Sequence, residues 1–203
     1  MHIESSAPCI LGVLVFLSMV GCSEIQAAPI ASPREIHVMS VVKAEEPDGS
    51  GQKDFDFLIG RWKVKNRRLR ERLEGSNAWD EFQSTVVARH IWGGKANTDE
   101  YEGLAPFGPI QGMTLRLFDP SSRQWRLYWA NSASGILDRP VVGSFQNGRG
   151  EFYNEDIHEG RSIYVRFIWS EITETSCRWE QAFSVDGGKS WETNWIMEFT
   201  RDP

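Results

Sequence analysis

Phe57-Leu58-Ile59-Gly60-Arg61-Trp62 is the stretch on which the reading of this chain turns. Gly60 lets the backbone turn tightly with no Cβ to clash, and Trp62 then opens the first long strand with a large apolar face to bury. A G-x-W signature is short, so its weight comes from its surroundings. Apolar Phe55, Phe57 and Leu58 stand just before it, and strand-like sequence follows almost to the C-terminus. Together these predict a small antiparallel barrel whose interior has room for a ligand. The stretch does not say which ligand.

The chain has 203 residues, enough for one ordinary domain and an extension. Composition is globular, with 40% hydrophobic and 25% charged residues. Tryptophan is the outlier: nine are present, all between Trp62 and Trp195. The formal charge of −6 gives the surface no general attraction for nucleic acid or anionic lipid. Cys9 and Cys22 sit in or beside an N-terminal apolar run, which leaves Cys177 alone in the body. A lone thiol forms no intramolecular disulfide there, so packing must hold the fold. With no histidine near it in sequence, Cys177 reads as a small buried hydrophobe rather than a nucleophile.

Residues 1–22 read as a signal peptide of lipoprotein type. The apolar run Cys9–Val20 is too short to span a bilayer but suits a signal core. Met19-Val20-Gly21-Cys22 resembles a bacterial lipobox, which makes Cys22 the candidate lipidation site. Met19 stands where leucine is usual, and Met1–Pro8 has Glu4 but no Lys or Arg; conventional cleavage near Ala27 is the alternative. Residues 23–53, rich in Ala, Pro, Ser, Glu and Gly, read as a disordered linker, with His37 a solvated residue within it. Residues 54–203 form the barrel domain. The expected setting is therefore a bacterial periplasm or membrane surface.

Gly, Pro, Asn and Asp punctuate the body at strand-length intervals, the pattern of an all-β barrel or sandwich. The predicted strands run over Arg61–Leu73, Glu81–Ile91, Asp99–Leu104, Gly112–Phe118 and Gln124–Ala130. They continue over Val141–Gln146, Glu151–Asn154, Arg161–Ser170, Ser176–Val185 and Trp191–Arg201. Asp119-Pro120-Ser121-Ser122, Asn147-Gly148 and His158-Glu159-Gly160 carry turn chemistry, and Asp54–Ile59 suits one short helical turn. Alternation is clear in the later strands. Trp125, Leu127 and Trp129 share a face, as do Val165, Phe167 and Trp169, and Cys177, Trp179 and Phe183. In the last strand Trp191, Thr193, Trp195, Met197 and Phe199 fall together. A period of two with aromatics on one side makes each strand half-buried, and closing the sheet turns that side inward.

Ser184-Val185-Asp186-Gly187-Gly188-Lys189-Ser190-Trp191 resembles the Asp-box hairpin, in which Asp186 ties the turn, Gly188 takes positive φ and Trp191 packs over it. What this implies is structural. Gly188-Lys189-Ser190 is no P-loop, because Phe183 occupies the first glycine position and a strand follows.

No G-x-S-x-G elbow, H-E-x-x-H zinc site or C-x-x-C pair is present. His90 and His158 are the only body histidines. His90 reads as a satisfied structural residue at a strand end, and His158 as a solvated turn residue. Glu180 and Glu192, on neighbouring strands, read as surface carboxylates rather than an acid/base pair. Arg61–Arg72 has seven basic residues against one acid, Glu71; it reads as a solvent-facing strand neutralised by neighbouring Glu and Asp, with an anion or polyphosphate groove as the alternative. Strict alternation from Trp62 through Val64 nevertheless turns Arg68 and Arg70 inward. That outcome needs a bulge, a strand leaving the barrel, or an arginine at the cavity mouth, where it would suit a carboxylate-bearing ligand. The candidate ligand-lining set is Trp92, Trp125, Trp129, Phe167, Trp169, Trp179, Trp195, Met197 and Arg68. The same rings could instead fill the interior themselves.

With Phe57, Gly60 and Trp62 opening the barrel and Arg201 ending its last strand, Asp54–Arg201 resembles the calycins, the superfamily of lipocalins, fatty-acid-binding proteins and nitrobindins. More narrowly it is similar to a bacterial family of uncharacterised exported calycin-like proteins. The resemblance implies an up-and-down barrel with an inner cavity for apolar molecules. It also implies a basic residue, here Arg201, stacked across Trp62 at the closed end, a contact worth about 1 kcal/mol. Nitrobindins bind haem through a histidine near the C-terminal end of the barrel. Trp191–Arg201 has none, which disfavours haem here. The expectation is an exported barrel that binds an apolar or aromatic small molecule, with no catalytic residue, metal or cofactor assigned. A cyclase or isomerase using Arg68 or His90 in the cavity is one alternative, and a structural or partner-binding envelope protein with a packed interior is another.

Overall fold

Apolar and polar residues alternate along most of the body, and each such segment has become a strand with one buried side. A computed structural model describes residues 51–203. The signal segment 1–22 with Cys22, and the linker up to residue 50 with His37, lie outside the described residues. Ten strands follow in order: β1 Gly60–Leu69, β2 Trp79–Ile91, β3 Ala96–Ala105, β4 Gly108–Asp119, β5 Gln124–Asn131, β6 Val141–Gln146, β7 Arg149–His158, β8 Arg161–Ser170, β9 Ser176–Ser184 and β10 Glu192–Arg201. Each pairs antiparallel with its neighbours in sequence, and β10 pairs with β1, closing the barrel. Closure leaves no free sheet edge. Four strands differ from the sequence expectation by three residues or more at one end: β1 stops at Leu69 instead of Leu73, β3 starts at Ala96 instead of Asp99, β4 starts at Gly108 instead of Gly112, and β7 runs on to His158 instead of Asn154.

The hairpins follow from local chemistry. Asn147 and Gly148 both take positive φ (52° and 75°), as a two-residue turn matched to strand twist requires. Asp119 caps its turn by accepting from the amides of Ser121 and Ser122, and it pairs with Arg126 at 2.9 Å.

Strand direction sorts the loops to two ends. Gly51–Ile59 lies at the end where β1 starts and β10 finishes. Residues 56–58 make a single 3₁₀ turn, and Gly51 O accepts from Trp125 Nε1 at 2.9 Å. Phe55 and Leu58 are fully buried, and Phe55 stands edge-on to Trp125, Phe145 and Trp169. This aromatic cluster plugs that end. The other end carries the β1–β2, β3–β4, β5–β6, β7–β8 and β9–β10 connections.

Trp62 and Arg201 are register partners on β1 and β10. Trp62 is fully buried and donates from Nε1 to Leu58 O at 2.6 Å. The Arg201 guanidinium lies 3.9 Å from the Trp62 ring centre and donates to Ile59 O at 2.5 Å and Phe57 O at 2.8 Å. Gly60 sits at φ 122°, and a Cβ there would come within 2.7 Å of Arg201 Nη1. The glycine thus supplies both the backbone conformation and the space that the cation fills.

Asp186 ties the β9–β10 hairpin. Its carboxylate accepts from the amides of Lys189 and Ser190 at 3.0 Å and from Ser190 Oγ at 2.6 Å. Gly188 takes φ 83°, and Trp191 Nε1 donates to Gly188 O at 3.0 Å.

The alternation expected for the last strand breaks in β10. A bulge between Thr193 and Trp195 leaves Asn194 as the extra residue, which reverses the faces on either side of it. Trp195, Met197 and Phe199 face inward, but Trp191 lies outside, 4.4 Å from the Arg166 guanidinium and tilted against Tyr153 with ring centres 6.0 Å apart.

Candidate ligand-binding cavity

Inside the barrel, between the plug and the open end, is a cavity of about 330 Å³. Its wall is mainly aromatic and aliphatic: Trp129, Phe167, Trp169, Trp179, Trp195, Met197 and Phe199 all line it, with Val86, Leu127 and Val165. The interior is not filled by its own rings. One reason is Gly112 on β4, where a Cβ would lie 2.3 Å from Trp129 Cη2. The missing side chain lets that indole lie back against the wall.

Two expected lining residues are elsewhere. Trp92 is 69% exposed, in a short 3₁₀ turn between β2 and β3 at the plugged end. The chain has left the strand alternation there, so its side chain is not steered inward. Trp125 is buried but sits below the cavity, between Phe55 and Phe118. Sequence alternation gave its face and not its depth.

The polar groups of the cavity fall at three levels. At the base, Arg116 and Asp99 form a buried ion pair at 2.5 Å. Arg116 also donates to Asn97 Oδ1 at 3.2 Å, and Asp99 Oδ1 accepts from the amide of Thr114 at 3.2 Å. The Arg116 guanidinium lies 5.1 Å from the Phe55 ring centre and 5.8 Å from that of Trp169. Arg116 Nε and Trp169 Nε1 are buried and have no acceptor among the described residues. Higher up, Asn66 Oδ1 accepts from Tyr101 Oη at 2.9 Å and Trp195 Nε1 at 3.1 Å, while Asn66 Nδ2 donates to Ser84 Oγ at 2.8 Å. This node joins β1, β2, β3 and β10. Burial pushes the Tyr101 phenol up to about 12, so it stays protonated and donates.

At the mouth, Arg68 and Arg72 line the opening on the β1 side. Alternation on β1 holds through Arg68 with no bulge. The strand then ends, and Arg70 turns out to Asp80 at 2.7 Å. Arg68 lies 4.5 Å from the Phe107 ring centre and 5.2 Å from that of Trp195; Arg72 lies 5.5 Å from that of Phe183. Burial lowers the pKa of both guanidiniums, that of Arg72 to about 10 with Arg68 as a second cause. Across the mouth are Asp138, Arg139, Asn154 and Asp156. Burial first, and Asp156 second, raises the pKa of Asp138.

His158 is not a solvated turn residue. It ends β7, lines the mouth and packs on Phe183 with ring centres 5.2 Å apart. His90 does not reach the cavity; its Nε2 is 3.8 Å from Asp56 Oδ1 at the plugged end. Glu180 and Glu192 are not brought face to face, since Glu180 pairs in register with Ile196 and Glu192 with Phe183. Glu192 accepts from the Leu73 amide at 2.7 Å.

Sequence reading missed Arg72, Arg116, Asp99, Tyr101, Asn66 and Gln181. The alternation on β3 and β4 could have raised Asp99, Tyr101 and Arg116 as a shared inward set. A polar residue on an inward face reads as a register error until its partner is known. Among the described residues, no group of three or more His, Cys, Asp or Glu side chains is arranged to hold a metal ion.

The same architecture recurs in solved structures. The S-type phycobiliprotein lyase of Guillardia theta is 12% identical, aligns over 75% of this chain and 92% of its own, and gives a TM-score of 0.51. Rv2717c from M. tuberculosis is 14% identical over 75% of this chain and 98% of its own, also with a TM-score of 0.51. What they share with this protein is a fold. It is a calycin-like antiparallel barrel of ten strands. No protein-family model matches the chain, and no curated protein matches its sequence.

Proposed function

We propose that this protein is an exported bacterial barrel that binds an apolar or aromatic small molecule in its interior and needs no catalysis to do so. The observation that carries the reading is the roughly 330 Å³ cavity walled by Trp129, Phe167, Trp169, Trp179 and Trp195. Small-molecule sites are typically concave and mostly apolar, with a few placed polar groups, and this volume lies near the lower end of their range of about 300–1,000 Å³. The unpartnered Arg116 Nε and Trp169 Nε1 favour a molecule whose inner end carries a hydrogen-bond acceptor. Export rests on the signal-like segment 1–22 and lipidation on Cys22. The barrel belongs to the bacterial exported calycin-like group on this reading.

The test is native mass spectrometry of protein purified from its own host, followed by solvent extraction. A reproducible co-purified apolar mass supports the reading, and repeated recovery of bare protein that binds no added hydrophobe counts against it. For export, the wild-type chain should fractionate with membranes and Cys22→Ser should be released.

One observation favours a second reading, an isomerase or cyclase that uses the cavity: Asp99, Tyr101 and Arg116 are buried titratable groups on its wall. Both oxygens of Asp99 are already engaged, by Arg116 and by the Thr114 amide. It is therefore poorly placed as a general base, and the binding reading stands ahead.

A further inference from the structure

Two cations stand together at the cavity mouth with no carboxylate in direct contact. Among the described residues, neither Arg68 nor Arg72 has a carboxylate within 4.0 Å, and neither guanidinium donates a hydrogen bond to a protein acceptor. Arg68 Nε and Arg72 Nη2 are moreover buried with no partner. Of the nearby acids, Asp80 is committed to Arg70 and Glu192 to the Leu73 amide, while Glu159 at the rim acts on Arg72 only from beyond ion-pair distance. A buried or half-buried charge with no partner is expensive, and two like charges side by side are more so. Elsewhere Arg70, Arg89, Arg116, Arg126, Arg149 and Arg178 each have an acid at 3.2 Å or less, although Arg166 Nε is likewise buried without a partner.

We propose that the barrel mouth is an anion subsite, in which Arg68 and Arg72 together hold the carboxylate or phosphate head of an amphipathic ligand whose apolar body lies in the cavity. The guanidinium fork matches both head groups, and Phe107, Trp195 and Phe183 hold the two arginines by their faces, leaving N–H edges free. The opposite wall carries two acids, Asp138 and Asp156, against one cation, Arg139, so the β1 side is the more favourable for an anion. The inference rests on the binding reading above and narrows its ligand class.

The experiment titrates the full-length chain with dodecanoate, dodecyl phosphate and dodecanol, three probes with one tail and different heads, read by calorimetry and by tryptophan fluorescence. The expected result is that at least one anionic probe binds about tenfold or more tighter than dodecanol, the size of effect a charge-assisted pair gives. Comparing the two anions separates a carboxylate subsite from a phosphate one. Arg72→Gln, at the rim beyond β1, should abolish most of the preference by lowering anion affinity far more than dodecanol affinity. Arg68→Gln should do the same, with circular dichroism verifying its fold. Equal affinities for all three probes would overturn the anion subsite and leave the apolar-ligand reading intact. So would a preference that survives both substitutions, because the head would then be held elsewhere. If no probe binds, both proposals fail for chain-like amphiphiles.

Discussion

At the scale of single residues, the closed end depends on five groups that fit together in one place. Trp62 has its indole N–H bonded to Leu58 O and its face under Arg201, which in turn holds the carbonyls of Phe57 and Ile59. Removing the ring leaves a cavity and releases the guanidinium, so Trp62→Ala should cost about 3–5 kcal/mol in urea unfolding. An unchanged melting temperature would show that this contact does not hold β1 to β10. Cys177 gives a second prediction. Burial pushes its thiol up to about 12, far from thiolate formation at neutral pH. Peptide-resolved maleimide labelling at pH 8 should leave Cys177 unmodified in native protein and label it after denaturation; labelling in the native state would contradict its burial against the core.

At the scale of elements, the β9–β10 hairpin and the β4–β5 pair respond to different perturbations. Hydrogen bonds from the Ser190 hydroxyl, then the Ser190 amide and the Ser184 hydroxyl, hold the Asp186 carboxyl well below the usual carboxylate range. A group whose folded pKa is depressed contributes stability above its unfolded value, about 3.9 for Asp, and that contribution is lost as pH falls toward the folded value. Asp186→Ala should therefore destabilise the protein at pH 6 and have progressively less effect as the medium is acidified below pH 4. A destabilisation that does not vary with pH would mean that ionisation is not what ties the turn. On β4, Gly112→Ala places a methyl where Trp129 now lies. The indole must swing into the cavity and the β5 backbone must also give, since the same Cβ would lie 2.8 Å from Ala130 O; the overpacking costs about 1–3 kcal/mol or more. Hydrophobic-probe affinity should fall with it, and a variant that bound as well as wild type would show that Trp129 does not set the cavity width.

At the scale of the whole molecule, a ligand that binds only the closed barrel must stabilise it. At a hundredfold excess over the dissociation constant the gain is about 2.7 kcal/mol, which in a domain of this size raises the melting temperature by roughly 5–11 °C. Protein stripped of lipids by solvent should melt lower than protein as isolated from its host, and adding back the extract should restore the difference. If stripping and reconstitution leave the melting curve in place, the cavity is not filled in the cell.

Local pattern was enough to read the barrel. G-x-W, the turn residues and an aromatic side repeated at period two, as in Trp125, Leu127 and Trp129, specify half-buried antiparallel strands, and in this protein a closed sheet gives those faces their common interior. The Asp-box hairpin was readable for the same reason, since all its hydrogen bonds lie within the eight residues Ser184–Trp191. Depth along the barrel, strand ends and polar partnerships were not readable. Trp125 and Trp129 share a face, yet one packs into the plug and the other lines the cavity, because position along the axis depends on the stagger between strands. Trp191 and Trp195 share a parity, yet a bulge at Asn194 puts them on opposite sides of the sheet. Asp99 and Arg116 explain each other only once β3 lies beside β4, and Arg68 and Arg72 become a pair only where β1 runs out at the rim. Periodicity is a property of one segment, whereas charge compensation depends on which segments meet, and that is decided by the tertiary structure alone.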